Sequence, residues 1–402
     1  MLSLCPLTPA GAQYRLHCPA GFTSDLPPVI SCVNGTFQPF RPEDFKCELG
    51  MALLVAPDGK MEIFTGDPRG RKLPQLPSVS YSGLSVDLMD SQLVIATHRV
   101  DLDGWWTLTL PDARQSIVAK NWTERKTEDR IKPLSHSSFI HHKDLVYLGG
   151  RDQIQVKLQD GHGKGREWNT FNLKTKNGRL FNKFVYDSCA VTIDLHITVI
   201  VGGKLVDNDE LASKVTIVDM KTQSVELQGN LEFKRHRHAC ALLVEMVEDD
   251  SGQLVEKKSL IVTGGLSGSS TVPNNEIIHM SNFESQPAAN SLRTPRYDHK
   301  LVQIGDFLYA LGGRGSDGVI VRSVEKYNKG SGSWSFHATG LLGPSMAGFA
   351  VTTLPISAIE SHPDTEDCRP GVAARIVGGS EAQVISWNRW WDISQGITPT
   401  RS

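Results

Sequence analysis

Long apolar runs are missing from this chain. No stretch of its 402 residues approaches the roughly 20 consecutive apolar residues that a membrane helix needs, so no helical span is expected. A bias of charge is missing too. The 42 Lys and Arg against 44 Asp and Glu leave a formal net charge of −2, which gives neither a nucleic acid nor an anionic membrane a field to follow. The start, "MLSLCPLTPAGAQYRLHC", has no basic n-region and no uninterrupted apolar h-region, so no signal peptide is read there. No Cys-x-x-Cys pair and no His cluster at zinc spacing occurs, which turns the cysteines away from metal ligation and leaves no cofactor or metal ligand to name.

What cysteine there is lies unevenly. Cys5, Cys18, Cys32 and Cys47 crowd the first 47 residues, while Cys189, Cys240 and Cys368 are scattered. A dense quartet in so short a segment reads as a disulfide framework standing in for a core. Two sequons, at Asn34 and Asn121, are compatible with glycosylation in a secreted chain. Secretion without a visible signal peptide leads to the expectation that the N-terminus is incomplete or mis-started.

Helical periodicity is scarce between residues 50 and 355, where short apolar runs alternate with Gly, Asp and Asn turns, the pattern of an all-β domain. The runs recur. "HSSFIHHKDLVYLGG" (136–150) and "HKLVQIGDFLYALGG" (299–313) match in length and closing Gly-Gly, and "ITVIVGG" (197–203) and "KSLIVTGG" (258–265) repeat the second half. Downstream, "RSVEKYNKGSGSWSF" (322–336) and "QVKLQDGHGKGREWNTF" (155–171) each give a strand, a turn and a Trp, Trp334 and Trp168. A period of about 50 residues is a repeat array, and this one resembles kelch repeats. The resemblance implies four-stranded antiparallel blades packed radially. First strands fall near 81–87, 136–140, 187–193, 238–244, 297–303 and 346–352, so a six-bladed β-propeller over 51–356 is expected, closed by its C-terminal strand "AGFAVTTLP" pairing into the N-terminal blade.

Two further likenesses flank it. "YRLHCPAGF" (14–22) and "ISCVNGTF" (30–37), closing at Cys47, look like a sushi (complement control) module over 1–48. That likeness implies the pairings Cys5–Cys32 and Cys18–Cys47. In the segment 357–402, "DCRPGVAARIVGGSEA" (367–382) resembles the activation junction of chymotrypsin-like serine proteases. The likeness implies cleavage between Arg375 and Ile376 by a trypsin-like activator, release of the Ile376 amino group, and Cys368 as a tether to a catalytic domain. Nothing after Ile376 resembles the family's Ala-His-Cys or Gly-Asp-Ser-Gly-Gly segments, and no His follows His362, so this chain carries no triad.

Weaker candidates read as structure. "KRHRHAC" (234–240) is expected as a solvated loop leading into the propeller axis, "IHHKD" (140–144) as a turn between first and second strands, and "GHGKGR" (161–166) as the turn before Trp168. Cys189 and Cys240 are expected as separate buried thiols, because a bridge demands a narrow geometry. No Tyr/His ligand set of the copper radical oxidases related to kelch proteins can be assembled. The reading is therefore an extracellular, non-catalytic chain that binds protein or glycan partners, the regulatory front half of a modular zymogen. Serine endopeptidase by homology and an intracellular kelch adaptor are the alternatives.

Overall fold

A computed structural model describes residues 197–248, 252–305, 307–338 and 347–355 continuously, most of 173–193 and 47–58, and elsewhere individual strands from Gln13 to Val384. Those residues are all β. Three consecutive antiparallel sheets hold the best-defined part. The first contains Cys189–Thr192, Ile197–Val201, Lys214–Asp219 and Ser224–Asn230, with Lys174–Thr175 added in parallel at its far edge. The second contains Ala239–Glu248, Leu254–Thr263, Glu276–His279 and Ser285–Pro287. The third contains Lys300–Ile304, Phe307–Leu311, Val324–Asn328 and Ser333–Ala338. The alternation that predicts these strands also buries them. Val199, Val201, Leu260 and Val262 are fully enclosed in one cluster that spans the first two sheets.

The expectation of six blades closed into one propeller is corrected. The described strands fall into nine sheets of two to five strands, every one of them open, and none closes into a barrel. Two of the nine are two-stranded ribbons, Val185–Tyr186 with Lys204–Leu205 and Leu266–Ser267 with Ser270–Thr271. Ala350–Pro355 does pair with Gly50–Val55, yet the sheet it joins (Phe22–Thr23, Glu48–Val55, Met61–Phe64, Arg71–Lys72) still ends in free edges. The hydrogen bonding therefore joins the two ends of the β-rich segment without making a closed sheet.

What holds one sheet to the next is a corner built on the glycine pairs. Gly203 and Gly265 have φ of 95° and 91°, a region L-residues avoid. Their N–H groups donate to the carbonyls of Arg235 and Arg296 in the following sheet, both at 2.9 Å. A Cβ on Gly265 would sit 2.7 Å from the His236 carbonyl and 2.7 Å from the His238 Cβ. The same two arginines turn their guanidinium groups into their own sheets. Arg235 donates to the carbonyls of Gly264 and Asn274 and to Glu276 Oε1, and Arg296 to the carbonyls of Gly312 and Ser323 and to Glu325 Oε1. Both ion pairs are fully buried. Each glutamate also accepts two backbone N–H groups, from Glu232 and Phe233 or from Arg293 and Thr294. Such complete satisfaction is what allows a charge to be buried at all.

The first sheet does without the pair. Register places Val185 where the others have arginine and Thr216, opposite Ile200, where they have glutamate. A small cavity lined by Phe181, Val185, Ile200, Thr216 and Val218 marks the lost volume. Replacing both partners is tolerated where replacing one is not.

Four substitutions test this account. Gly265→Ala should cost roughly 2–5 kcal/mol in urea unfolding, from strain plus collision. Gly268→Ala, at φ 63° with nothing within 4 Å, should cost only about 1–2 kcal/mol. Glu276→Thr alone should lose about 3–5 kcal/mol, and Arg235→Val together with Glu276→Thr should recover part of that loss.

Candidate binding site at the mouth of three sheets

The innermost strand of each sheet is entered through one residue in the left-handed region. These are Asp187, Arg237, Asp298 and, before Ala350–Pro355, Gly348, with φ of 52°, 55°, 55° and 66°. They are linked in sequence order by backbone hydrogen bonds. Arg237 N–H donates to Asp187 at 2.7 Å, Asp298 N–H to Arg237 at 2.9 Å, and Gly348 N–H to Asp298 at 3.0 Å. Three of the four are not glycine, so the bonds and side-chain contacts must offset about 1–2 kcal/mol of backbone strain at each.

The side chains of this relay meet at one end of the sheets, which we call the mouth. Arg237 Nε donates to Asp298 Oδ1 at 2.7 Å and Nη2 to Oδ2, a bidentate pair. Its guanidinium lies 4.8 Å from the centre of the Tyr297 ring. Burial pulls the Arg237 pKa down, but the Asp298 hydrogen bond and charge, with Asp187, more than offset it. Asp187 Oδ2 lies 3.4 Å from His236 Nδ1. Tyr186 donates to Asp209 Oδ1 at 2.5 Å, and burial, reinforced by that bond, pushes its phenol up to about 12. Arg237 retains 36% exposure and Asp187 29%, so the ion-paired cluster still faces solvent. Val319, 62% exposed, stands at the same end of the sheets, on the segment after Gly313 whose Arg314 bridges both Tyr297 and Ile320.

One layer beneath, the rings of His238 and His299 are wedged against the first glycine of the preceding pair, so that a Cβ on Gly202 or Gly264 would meet Cε1 at 3.0 or 2.7 Å. His299 Nε2 pairs with Thr263 Oγ1 at 2.8 Å. Burial, helped by Arg235, lowers the His238 pKa to about 3, and burial with Arg296 takes His299 well below its ordinary value. Phe349 occupies the corresponding place in the final strand and Ser188 in the first sheet, so an uncharged side chain is common to all four.

The sequence candidates fall as follows. "KRHRHAC" is not the solvated loop expected. Arg235, His236 and His238 are buried, because Glu276 and the glycine corners enclose them, and only Lys234 and Arg237 of its basic residues reach solvent. Cys189 and Cys240 are not separate thiols but one disulfide, with Cα atoms 5.9 Å apart. Cys240 lies one residue beyond Ala239, the true counterpart of Cys189, and that offset brings the two sulfurs to facing sides of adjacent strands. In "IHHKD", expected as a turn, His141 ends one strand opposite Asp144, which begins the next, and His142 and Lys143 lie outside the described residues. Cys47 is disulfide-bonded, and Cys32 sits opposite Phe37 in the N-terminal sheet. Arg375 and Ile376 lie in the strand Arg375–Val377, paired with Gln13–His17 on one side and Gln383–Val384 on the other. Cys5, Cys18, Cys368, Asn34 and Asn121 lie outside the described residues. Among the described residues no group of three or more His, Cys, Asp and Glu is set to hold a metal, and no helix is long and apolar enough to cross a membrane.

The two histidines make a pH prediction. Both pKa values are lowered in the folded chain, so the unfolded chain binds more protons below about pH 6.5, for His238 down to about pH 3. Their stabilising contribution is therefore present above about pH 6.5 and lost as the pH falls, by up to about 1.4 kcal/mol per pH unit for each ring. His238→Phe should flatten the slope of stability against pH across that window, measured by urea unfolding at several pH values.

Residues 295–337 match the Kelch motif family. That span runs from just before the buried Arg296 through the relay residue Asp298, the pair Gly312–Gly313 and Glu325 to Trp334, the parts that build one corner and one sheet. No curated protein matches the chain. The chain carries a kelch-type β-rich domain.

Proposed function

We propose that this chain is a non-catalytic binding protein that takes a protein partner at the mouth. The observation that carries the reading is the convergence there of polar side chains from successive sheets. Arg237 and Asp298 are fixed by a continuous backbone relay, with Tyr297 stacked on the Arg237 guanidinium and the exposed Val319 beside them. A rigid, half-exposed charged cluster beside an exposed apolar side chain is a surface suited to protein contact, with Arg and Tyr the residue types that dominate such contacts. A glycan partner is the second possibility for the same surface.

The finer reading places the protein outside the cell, as the front half of a modular protease zymogen. The Cys189–Cys240 disulfide and the disulfide at Cys47 support an oxidising compartment. A sushi-like module at 1–48 draws support from the antiparallel strands Gln13–His17, Val29–Val33 and Thr36–Gln38. The activation junction rests on its sequence alone. In the strand arrangement described above, cutting at Arg375–Ile376 requires that segment to leave both of its neighbours.

Photo-crosslinking tests the binding reading. A benzophenone amino acid at position 319 should yield discrete protein adducts from cell-surface preparations that vanish in Arg237→Ala, while position 336, on a strand of the third sheet, serves as control. Adducts indifferent to Arg237, or glycan-array binding without protein adducts, would overturn it. A specific serine adduct with a fluorophosphonate probe would overturn the non-catalytic reading, and N-terminal sequencing after limited trypsin treatment should give a fragment beginning Ile376.

A further inference from the structure

The Cys189–Cys240 disulfide crosses between the innermost strands of consecutive sheets, and the equivalent place at the next junction is informative. Register pairs Cys189 with Val201, Ala239 with Thr263 and Lys300 with Leu311, in each case the residue just before the glycine pair. Cys189 thus corresponds to Ala239, and Cys240 to Leu301. Ala239 and Leu301 belong to one buried apolar cluster, so the second junction is held at this spot by ordinary packing with no covalent link. Two reduced cysteines are small apolar side chains of the same kind. A Cys189 thiol also has an acceptor already in reach, the Cys240 carbonyl at 3.7 Å from its sulfur. The fold therefore accommodates the dithiol as well as the disulfide.

The bridge also lies next to the mouth. Asp187 is two residues before Cys189 and Arg237 three before Cys240. Between them run the relay bond from Arg237 N–H to the Asp187 carbonyl and the contact of Asp187 with His236. We propose that Cys189–Cys240 is a reversible redox switch, opened by a dithiol reductant and closed by disulfide exchange, that sets how firmly the Asp187–Arg237 junction of the mouth is held. Its importance for binding rests on the mouth being the binding end. Chemically, a reductant thiolate attacks the sulfur of Cys189, the more exposed of the two, and expels the Cys240 thiolate, which takes up a proton. The reductant's second thiol then resolves the mixed disulfide. Two electrons pass to the protein, leaving two protein thiols and an oxidised, cyclised dithiol.

The test uses the full chain, treated with dithiothreitol without denaturant, alkylated and mapped by peptide mass spectrometry, which separates these two cysteines from Cys47. Cys189 and Cys240 should become alkylated while the chain keeps a cooperative melt. Amide exchange at Arg237 should then accelerate roughly tenfold or more, and exchange at Asp298, one junction away, should change less than about threefold. Cys189→Ala with Cys240→Leu copies the Ala239–Leu301 pair and should reproduce the reduced pattern. If that variant does not fold, the melt of the reduced wild type decides. Alkylation of both cysteines in unreduced chain, reduction only on unfolding, or unaltered exchange at Arg237 would each overturn the switch. None of these readouts involves a partner, so they stand or fall apart from the binding reading.

Discussion

The interaction on which the other contacts depend is the one between a glycine N–H and the carbonyl of a buried arginine in the next sheet. It requires the glycine to be in the left-handed region, because only there does its N–H face the neighbouring sheet. It requires the arginine backbone to be held still, which the guanidinium does by gripping two carbonyls and a carboxylate of its own sheet. One residue thus serves two sheets, its main chain facing backwards and its side chain forwards. The same position in the next unit repeats the arrangement atom for atom with Gly265, Arg296 and Glu325.

This coupling explains why charge is buried where a hydrophobic core would serve for stability alone. A buried ion pair is weak as a source of stability, and the first sheet manages with Val185 and Thr216. The guanidinium supplies direction. Five donors in a fixed plane position the glycine corner, and the two such corners place Arg237 and Asp298. The mouth is as ordered as it is because its backbone is determined from below by these corners and sideways by the relay.

Part of this was legible beforehand. The glycine pairs stand out because no other residue fits their backbone, and the strands because alternation survives in a single sequence. The spacing Arg-x-x-His, at 235–238 and again at 296–299, with a glutamate 11 or 12 residues after each glycine pair, was also available and would have marked the buried hub. It was hidden because the basic run "KRHRH" looks solvated until its carboxylate partner, some 40 residues later, is placed beside it. The disulfide was hidden by a one-residue offset. Corresponding positions do not face one another across a junction, but Cys189 and the residue after its counterpart do. The closed ring was over-read, because repeat counting gives the number of strand sets and says nothing about how their edges join.

The relay also has a direction. Each donor N–H belongs to a later residue than its acceptor, 237 to 187, 298 to 237 and 348 to 298. Synthesis runs from the N-terminus, so every acceptor carbonyl leaves the ribosome before its donor. Each new sheet can dock on one already formed, at a cost of closing about 50 residues of chain rather than several hundred. The pairings of Ala350–Pro355 with Gly50–Val55 and of Arg375–Val377 with Gln13–His17 must wait until the later strands are made. A nascent chain therefore gains order stepwise, and the pairings between its two ends come after the sheets between them.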